Sequence, residues 1–477
     1  MLRWCDVAML TNRWSARLAD RRVLWLALGV AAGLRGCAWW WAAAPQQDEL
    51  SYQATARWLV EHGEQRLFWP PVTSWLIAAV FAVLGPSFAA ARVLWIGLDL
   101  VNLGLLWQLA GTVSAGDTPA PAASGTSPVP GLVVLGHAVS LPAISYAVHT
   151  TSETPAVALL LAMLLLLRPE QIPAAPAPAP APRFGTRAAL AGLCGGALVL
   201  TRTSLGLVPL ALAALLVREG APAARQRDGW GSAGLLLGLT ALLVSGYVLR
   251  NRVVTGQAVL AQNTTYNFHR GNGPTYQEDL NLFWPVATPQ QIELRVHQRD
   301  EAPVAATPAQ LRHEAWAYIQ AHPGIFARRA LGRLARLTVP RTEQLTLLGG
   351  EERIRIEDGR SIALLLLGVL QWAPLLLLGT AGLLALQLHG QAATRAWANR
   401  FLVVVAAGIA PALIAISKPR FGYVFEPLLL IAAAAFVANL RTWRPQLRHP
   451  VTIALYAFYA WAQVAWLIFA VTSRTGS

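Results

Sequence analysis

The stretch that decides the fold is residues 23–44, VLWLALGVAAGLRGCAWWWAAA. A helix needs ~20 mainly apolar residues to cross the ~30 Å hydrocarbon core of a bilayer, and this run is long enough. It is preceded by Arg13, Arg17, Arg21 and Arg22, and three consecutive tryptophans lie near its far end. Cytoplasmic basic residues and interfacial aromatic residues are typical of a membrane span. The pattern predicts a retained first transmembrane helix, not a cleaved signal, with a cytoplasmic N-terminus.

The composition of the whole chain agrees with this prediction. Of its 477 residues, 55% are hydrophobic and 13% are charged, with a formal net charge of +14. Soluble domains carry about 25% charged residues, so a cytosolic enzyme and a disordered chain are both excluded. A nucleic-acid surface needs its basic residues on one face, whereas here they form short clusters between apolar runs. The bilayer is therefore the expected partner, and no nucleic acid is.

Eleven apolar stretches are candidate spans. They are 23–44, 88–110, 131–149, 153–168, 188–203, 205–217, 231–249, 361–388, 400–416, 422–440 and 451–472. Arginines cluster in alternate connections between them, as the positive-inside rule requires of cytoplasmic loops. These clusters are Arg168, Arg183 and Arg187; Arg218, Arg225 and Arg227; Arg395 and Arg400; and Arg441, Arg444 and Arg448. The sequence predicts an all-α, multi-pass protein of the inner (plasma) membrane.

Two shorter stretches are predicted to lie on the outer surface. Residues 70–84 would form only about 22 Å of helix, and counting them as a span would invert every later loop. Residues 48–62 form an amphipathic pattern with an apolar stripe of Leu50, Ala54, Trp58 and Leu59.

We expect an N-terminal membrane module (1–249, including outer loop 45–87), an extracytoplasmic segment (250–360, helical over 306–340) and C-terminal spans (361–477). The Pro-Ala tract 173–182 is interpreted as a cytoplasmic linker.

Acids and cations collect on the predicted outer side. The acids are Asp48, Glu49, Glu153 and Glu426, and the cations are Arg202, Arg250, Arg252, Lys418 and Arg420. Convergence of carboxylates with guanidinium groups suggests a site for a phosphate-bearing substrate, because arginine binds phosphate in a bidentate manner and lysine acts as a point charge. Asp99 lies in mid-span with Asn102 one turn on, and we interpret it as a structural polar contact to Asn102 or to a neighbouring helix.

Each of these residues also has a simpler interpretation. Glu153 follows Thr151 and Ser152 and could serve only as a first-turn charge that stabilises its helix. Residues 418–420, KPR, could be a plain snorkelling anchor. The pair Asp48 and Glu49 could be solvated residues that open an amphipathic helix.

The order of the motifs resembles glycosyltransferase family 39, the membrane enzymes similar to protein O-mannosyltransferases and lipid A aminoarabinose transferases. Residues 47–52, QDELSY, followed by Pro70-Pro71 and Arg92, resemble the family's first outer loop. Later elements resemble its second acidic position, its glycine-rich span, the start of its large outer domain and its late arginine, tyrosine and glutamate-proline element. These are 151–154 (TSET), 195–202 (GGALVLTR), 249–256 (LRNRVVTG) and 420–427 (RFGYVFEP).

The resemblance implies a GT-C fold, a polyprenyl-phosphate-sugar donor and Asp48 as the acid/base position. One departure is that Phe68-Trp69 stand where the aminoarabinose transferases carry an acidic-lysine pair. The acceptor can be a lipid, a glycan or a protein hydroxyl. No cofactor is predicted: a divalent metal is compatible with the chemistry, but arginine and lysine can supply the charge.

On this basis we assign expected roles. Asp48 is the base, and Glu49 and Glu153 orient the sugar or the acceptor. The expected phosphate ligands are Arg420, Lys418, Arg250 and Arg202, with Tyr423 as a hydroxyl donor. Direct attack by the acceptor would invert the anomeric centre.

Two alternative functions are open. One is a transporter or flippase of lipid-linked sugars, which predicts charges in mid-span and repeated halves. The other is a noncatalytic membrane assembly subunit. Within the transferase class, a polymerase or ligase that uses a diphosphate-linked glycan is also open.

Overall fold

The computed structural model describes residues 17–41, 47–114, 127–169, 184–219, 226–273, 307–339 and 359–472. The predicted linker 173–182 lies outside the described residues. So do most of the inner loop 112–130 and parts 274–306 and 340–358 of the predicted outer segment. The described residues are almost entirely helical.

The N-terminal half contributes ten helices among the described residues. They are α1 (Arg21–Trp41), α2 (Gln47–His62), α3 (Pro71–Leu84), α4 (Phe88–Ser114), α5 (Val129–Ala138), α6 (Leu141–Val148), α7 (Glu153–Leu166), α8 (Phe184–Thr201), α9 (Leu207–Glu219) and α10 (Gln226–Thr255). The rest of the chain adds seven longer helices and short helical turns. The helices are α11 (Gln262–Asn272), α12 (Pro308–Ala321), α13 (Pro323–Thr338), α14 (Gly359–His389), α15 (Ala392–Ile414), α16 (Glu426–Ala438) and α17 (Pro450–Thr472).

All eleven predicted spans are helical, but their lengths differ. Six helices in the described residues are long and apolar enough to cross a membrane, and a bent pair makes a seventh. The six are α1, α4, α10, α14, α15 and the stretch Arg420–Ala438. Helices α7, α8, α9 and α17, which account for the other four predictions, are shorter or less apolar. The chain is therefore an all-α, multi-pass membrane protein with several short helices in its interior.

The bent pair is the predicted span 131–149, which breaks between α5 and α6 with an angle of 56°. Pro142 lacks an amide hydrogen, and the Ser140 side chain caps the start of α6 by accepting from the Ala143 amide. Gln371 of α14 accepts from the Leu141 amide and donates to the Val139 carbonyl, both at 2.9 Å. Backbone groups within a membrane need such partners because lipid offers none.

The two predicted outer helices, α2 and α3, pack together and against α4. Tyr52 and Ala56 of α2 meet Ile77 and Phe81 of α3 in one buried cluster. Leu59 of the predicted apolar stripe packs on this cluster, whereas Leu50, at the start of the stripe, is 47% exposed, so α2 carries apolar side chains both toward the protein and on its exposed surface. That arrangement is expected of an interfacial helix. Helix α3 ends at Gly85, whose φ of 78° is accessible to glycine without strain.

Small residues bring α8 and α10 into close contact. Methyl groups added at Gly192, Gly195 and Gly196 would collide with α10 or α9. The Thr240 hydroxyl donates to the Gly192 carbonyl at 3.1 Å. Glycine at helix interfaces in membranes allows such approach of two backbones. The glycine-rich span therefore fixes the position of α8 and of Arg202 at its end.

A buried ionic cluster joins α1, α4 and α5. Asp99 accepts from Arg35 Nε at 2.6 Å and lies 3.1 Å from His137 Nε2. Arg35 also donates to the Ala138 carbonyl at 2.9 Å, at the break between α5 and α6. The predicted contact of Asp99 with Asn102 is wrong and the alternative of a neighbouring helix is right, because Asn102 instead donates to the Thr154 carbonyl at 3.3 Å.

We expect Asp99→Asn to destabilise the protein by about 3–5 kcal/mol, because it leaves the Arg35 guanidinium buried without its counter-ion. Thermal unfolding of the purified protein in detergent measures the effect. Asp20→Asn is the matched control: its pair with Arg22 is exposed, at 3.9 Å, and such pairs contribute about 0–1 kcal/mol. Equal unfolding temperatures for the two variants would contradict the structural role of Asp99.

Candidate active site

A chain of ion pairs joins residues that lie far apart in the sequence. Arg420 Nη2 lies 2.5 Å from Asp48 Oδ2, and Arg420 Nε lies 3.9 Å from Glu153 Oε1. The same Glu153 oxygen accepts from Arg202 Nη1 at 2.5 Å. Arg202 also donates to the Ser152 hydroxyl at 3.3 Å. One network therefore contains two carboxylates and two guanidinium groups.

The ends of four helices deliver these groups. Asp48 lies in the first turn of α2, and Glu153 is the first residue of α7. Arg202 directly follows α8, and Arg420 lies in the helical turn Pro419–Phe425 after α15. A negative charge is favoured at a helix N-terminus, so Glu153 stabilises its own helix and also pairs with Arg202. The position of Glu153 fits the simpler interpretation of a first-turn charge, and its contact with sugar or acceptor stays a prediction.

Asp48 is the more accessible acid of the network. Its side chain is 21% exposed, whereas that of Glu153 is 3% exposed. Burial alone would raise the pKa of Asp48, but the charges of Arg420, Lys418 and Arg202 outweigh it and hold the pKa below its usual value. Asp48 is therefore a deprotonated carboxylate at neutral pH. The positive charge of Lys418 is one of the causes that lower the pKa of Asp48.

Glu49 occupies a different, closed environment. Its carboxylate accepts from Arg92 Nε and Nη2, both at 3.1 Å, and lies 3.1 Å from His149 Nδ1. The Thr150 hydroxyl adds a hydrogen bond at 3.2 Å. Glu49 is fully buried, and in this structure it ties α2 to α4 and to the turn before α7. This placement favours a positioning role over the predicted contact with sugar or acceptor.

Tyr52 is a site residue that sequence reasoning did not select. It lies one helical turn after Asp48 and is buried, with its ring 4.8 Å from that of Trp69. Burial, and then the charges of Asp48 and Glu153, raise the pKa of Tyr52, while a hydrogen bond with Ser152 opposes the rise. Its hydroxyl therefore stays protonated beside both acids. The i, i+4 spacing from Asp48 is the signal that could have identified it.

The other predicted residues make contacts of their own. Arg250 Nη1 donates to Asn251 at 3.2 Å, and no ion pair in the described part of the chain links it to Asp48 or Glu153. Tyr423 is fully buried, with its ring 4.4 Å from that of Tyr146. Glu426 accepts from the Ser140 hydroxyl at 2.7 Å, near the break between α5 and α6. The phosphate roles of Arg250 and Tyr423 stay predictions.

The acids of the site face cationic side chains. Within the described ranges, no group of three or more His, Cys, Asp or Glu side chains is arranged to hold a metal ion. Asp48 and Glu153 face guanidinium groups, and Glu49 faces Arg92 and His149. The positive charge of this site comes from its arginines and from Lys418.

Comparisons with known proteins find likeness at the level of the fold. No family model matches the chain, and no curated protein matches it. Among solved structures, it is similar to the oligosaccharyltransferase AglB from Archaeoglobus fulgidus in complex with an inhibitory peptide and a dolichol-phosphate. That match has 15% identity and a TM-score of 0.48, and it covers 95% of this chain and 55% of the archaeal one. The chain thus spans about half the length of that protein.

A second similar structure is ArnT from Cupriavidus metallidurans bound to undecaprenyl phosphate. It has 16% identity and a TM-score of 0.40, and the match covers 89% of this chain and 79% of ArnT. Both likenesses are distant.

We expect Glu49→Gln to destabilise the protein at neutral pH by roughly 3 kcal/mol. Burial would raise the pKa of Glu49, but hydrogen bonds from His149 and Arg92 lower it from 4.5 to about 2. A lowered folded-state pKa gives stability that is complete above the unfolded value and is lost as the pH falls from about 4.5 toward 2. Thermal unfolding between pH 7 and pH 3 should therefore show a flatter acid limb in the variant.

The control is Glu61→Gln, an exposed acid at the other end of α2, which should keep the acid dependence of the unmodified protein. An unchanged acid limb in Glu49→Gln would contradict the role of Glu49 as a buried anchor.

Proposed function

We propose that the chain is a GT-C membrane glycosyltransferase that moves a sugar from a polyprenyl-phosphate donor to a hydroxyl acceptor on the extracytoplasmic face of the cell membrane. The observation that supports this most is that Asp48 and Glu153 share Arg420, with Arg202 on the far side of Glu153. The motif order that resembles family 39 is a separate line of support. Both lines converge on Asp48.

The charge balance of the site favours an anionic substrate. Arg202, Lys418 and Arg420 carry three positive charges, against two negative charges on Asp48 and Glu153. The surplus positive charge matches the single negative charge of a polyprenyl-phosphate sugar. The charge on phosphate grows as the bond to the sugar breaks, and preorganised cations stabilise such a developing charge.

Asp48 is suited to be the base because it is ionised and the more exposed of the two acids. In the proposed step the acceptor hydroxyl gives its proton to Asp48 while its oxygen attacks the anomeric carbon. The bond from that carbon to the phosphate oxygen breaks, and its electron pair leaves with the polyprenyl phosphate. Asp48 then releases the proton to water. A single displacement of this kind inverts the anomeric centre.

The remaining residues support this step. Glu153 holds Arg202 and Arg420 at a fixed separation, and the protonated Tyr52 is a hydrogen-bond donor beside both acids. Glu49, bound by Arg92 and His149, fixes the rotation of α2 and thereby the direction of Asp48. Aromatic contact with Phe421, whose ring lies 5.1 Å from the Arg202 guanidinium, further orders the cations.

The transporter hypothesis has one observation in its favour. It predicts charges in mid-span, and Arg35, Asp99 and His137 form such a cluster. These groups are paired with one another, and Arg35 satisfies carbonyls at the α5–α6 break. A cluster that stabilises a broken helix accounts for them without a transported substrate.

Asp48→Asn should leave the protein in the membrane and lower the rate of sugar transfer by roughly 10²- to 10⁴-fold, the usual contribution of a general base. The assay follows transfer from polyprenyl-phosphate sugars to acceptor by mass spectrometry. Glu61→Gln, on the same helix but exposed, is expected to transfer at the unmodified rate. Full activity of Asp48→Asn would show that Asp48 is not the base.

Arg420→Ala should weaken use of the donor more than use of the acceptor, because it removes a phosphate contact. It should also move the acid limb of the transfer rate to higher pH, since burial then raises the pKa of Asp48 with less opposition. Steady-state kinetics in each substrate across pH measure both effects. Arg441→Ala, an exposed arginine beyond α16, is the control. Unchanged donor kinetics and pH profile in Arg420→Ala would oppose the assignment.

A further inference from the structure

Three buried arginines lie on one face of α13, the last described helix of the predicted outer segment. They are Arg329, Arg333 and Arg336, and their i, i+4, i+7 spacing places them on one side of the helix. A buried guanidinium group is costly unless its donors are satisfied. Their partners therefore indicate what this face of α13 does.

Their partners among the described residues include backbone carbonyls at the C-terminal ends of two other helices. Arg333 Nη1 donates to the Leu413 and Ile414 carbonyls at 2.7 and 3.1 Å, at the end of α15. Arg329 Nη1 donates to the Gly273 carbonyl at 3.2 Å, at the end of α11. The last carbonyls of a helix lack intrahelical partners and carry partial negative charge. Guanidinium groups supply both the donors and the opposite charge.

The ends of α11 and α15 are also in direct contact. A methyl group at Gly271 would collide with the Ala415 carbonyl, so only glycine permits this approach. Asn272 Nδ2 donates to the Ile414 carbonyl at 2.8 Å, and Arg333 contacts Gly271 and Asn272. Together, α11 and α13 contact the C-terminal end of α15 and fix its position.

The backbone that follows α15 continues directly to Lys418 and Arg420, the cations of the site. Arg336 Nη1 donates to the Ser417 carbonyl at 3.3 Å, one residue before Lys418. Residues 415–418 are not helical, although the Ala415 amide donates to the Pro411 carbonyl at 2.9 Å and the Lys418 carbonyl accepts from the Phe421 amide at 3.0 Å. The contact from Arg336 of α13 therefore lies next to Lys418 and three residues before Arg420.

We propose that Arg336 and Arg333 are positioning residues for the phosphate-binding cations, so that the outer segment is part of the donor site. This inference rests on the proposed function. It gives α13 a role that neither its composition nor the motif order suggests. Arg336 acts through Ser417 on Lys418, and Arg333 acts through the end of α15.

The test is a double-mutant cycle on binding of undecaprenyl phosphate to the purified full-length protein. We expect Arg336→Gln to weaken binding roughly tenfold, the effect of losing one charge-assisted hydrogen bond. In a protein that already carries Lys418→Gln, Arg336→Gln should weaken binding by clearly less than tenfold. The effects of two substitutions are not additive when one residue acts through the other. Arg328→Gln is the matched control, an exposed arginine on the same helix, and should bind like the unmodified protein.

Arg336→Lys keeps the charge and a donor and should recover most of the affinity. If Arg336→Gln does not accumulate in the membrane, the cycle is run with Arg336→Lys, for which a roughly threefold loss is expected. Binding by the position-336 variant equal to that of Arg328→Gln, or fully additive effects with Lys418→Gln, would overturn the inference. Absence of binding by the unmodified protein, or unweakened binding by Lys418→Gln, would instead overturn the proposed function, and the inference with it.

Discussion

The pairing of buried acids with arginines is the constraint on which the rest of this structure depends. A charge inside a membrane bundle is costly unless it is paired, and among the described residues the buried acids Asp99, Glu49 and Glu153 pair with arginines from distant parts of the chain. At the predicted inner end, Arg400 of α15 binds Glu219 of α9 through two contacts of 2.6 Å. Arg35 and Asp99 pair in the middle of the bundle, and Arg92 with Glu49 and Arg202 with Glu153 pair toward the predicted outer end.

These ion pairs differ in the balance of positive and negative charge around the acid. That balance distinguishes the proposed active site from the pairs that only join helices. Asp99 and Glu49 each meet arginine in a fully buried arrangement that ties helices together, and Glu219, 29% exposed, is bound by Arg400 through two contacts. At Glu153 the network continues through Arg420 to Asp48, with Lys418 nearby, so that cations outnumber acids and one carboxylate remains partly exposed. The same chemistry that stabilises the bundle thus produces, at its predicted outer end, the surplus of positive charge on which the proposed anionic donor depends.

Much of this arrangement could be predicted because alternation across a membrane assigns every helix end to a side. From the sequence alone, that rule predicts that Asp48, Glu153, Arg202, Lys418 and Arg420 lie on the same side of the membrane. It could not distinguish Asp48 from Glu49, because neighbours on a helix point about 100° apart and only the packing of α2 on α4 decides which faces the site. The break between α5 and α6, the partners of Asp99 and the role of α13 depend likewise on contacts between helices distant in sequence, which a periodicity pattern does not encode.

The most direct test of the central claim is mass spectrometry of the products formed when the purified protein is incubated with a panel of polyprenyl-phosphate sugars. The account predicts that at least one donor loses its sugar, which appears on an acceptor or on water, and that free polyprenyl phosphate accumulates. It also predicts that Asp48→Asn leaves the same donor intact. Donors that all stay intact while one of them crosses the bilayer of a proteoliposome would contradict the account and favour a transporter.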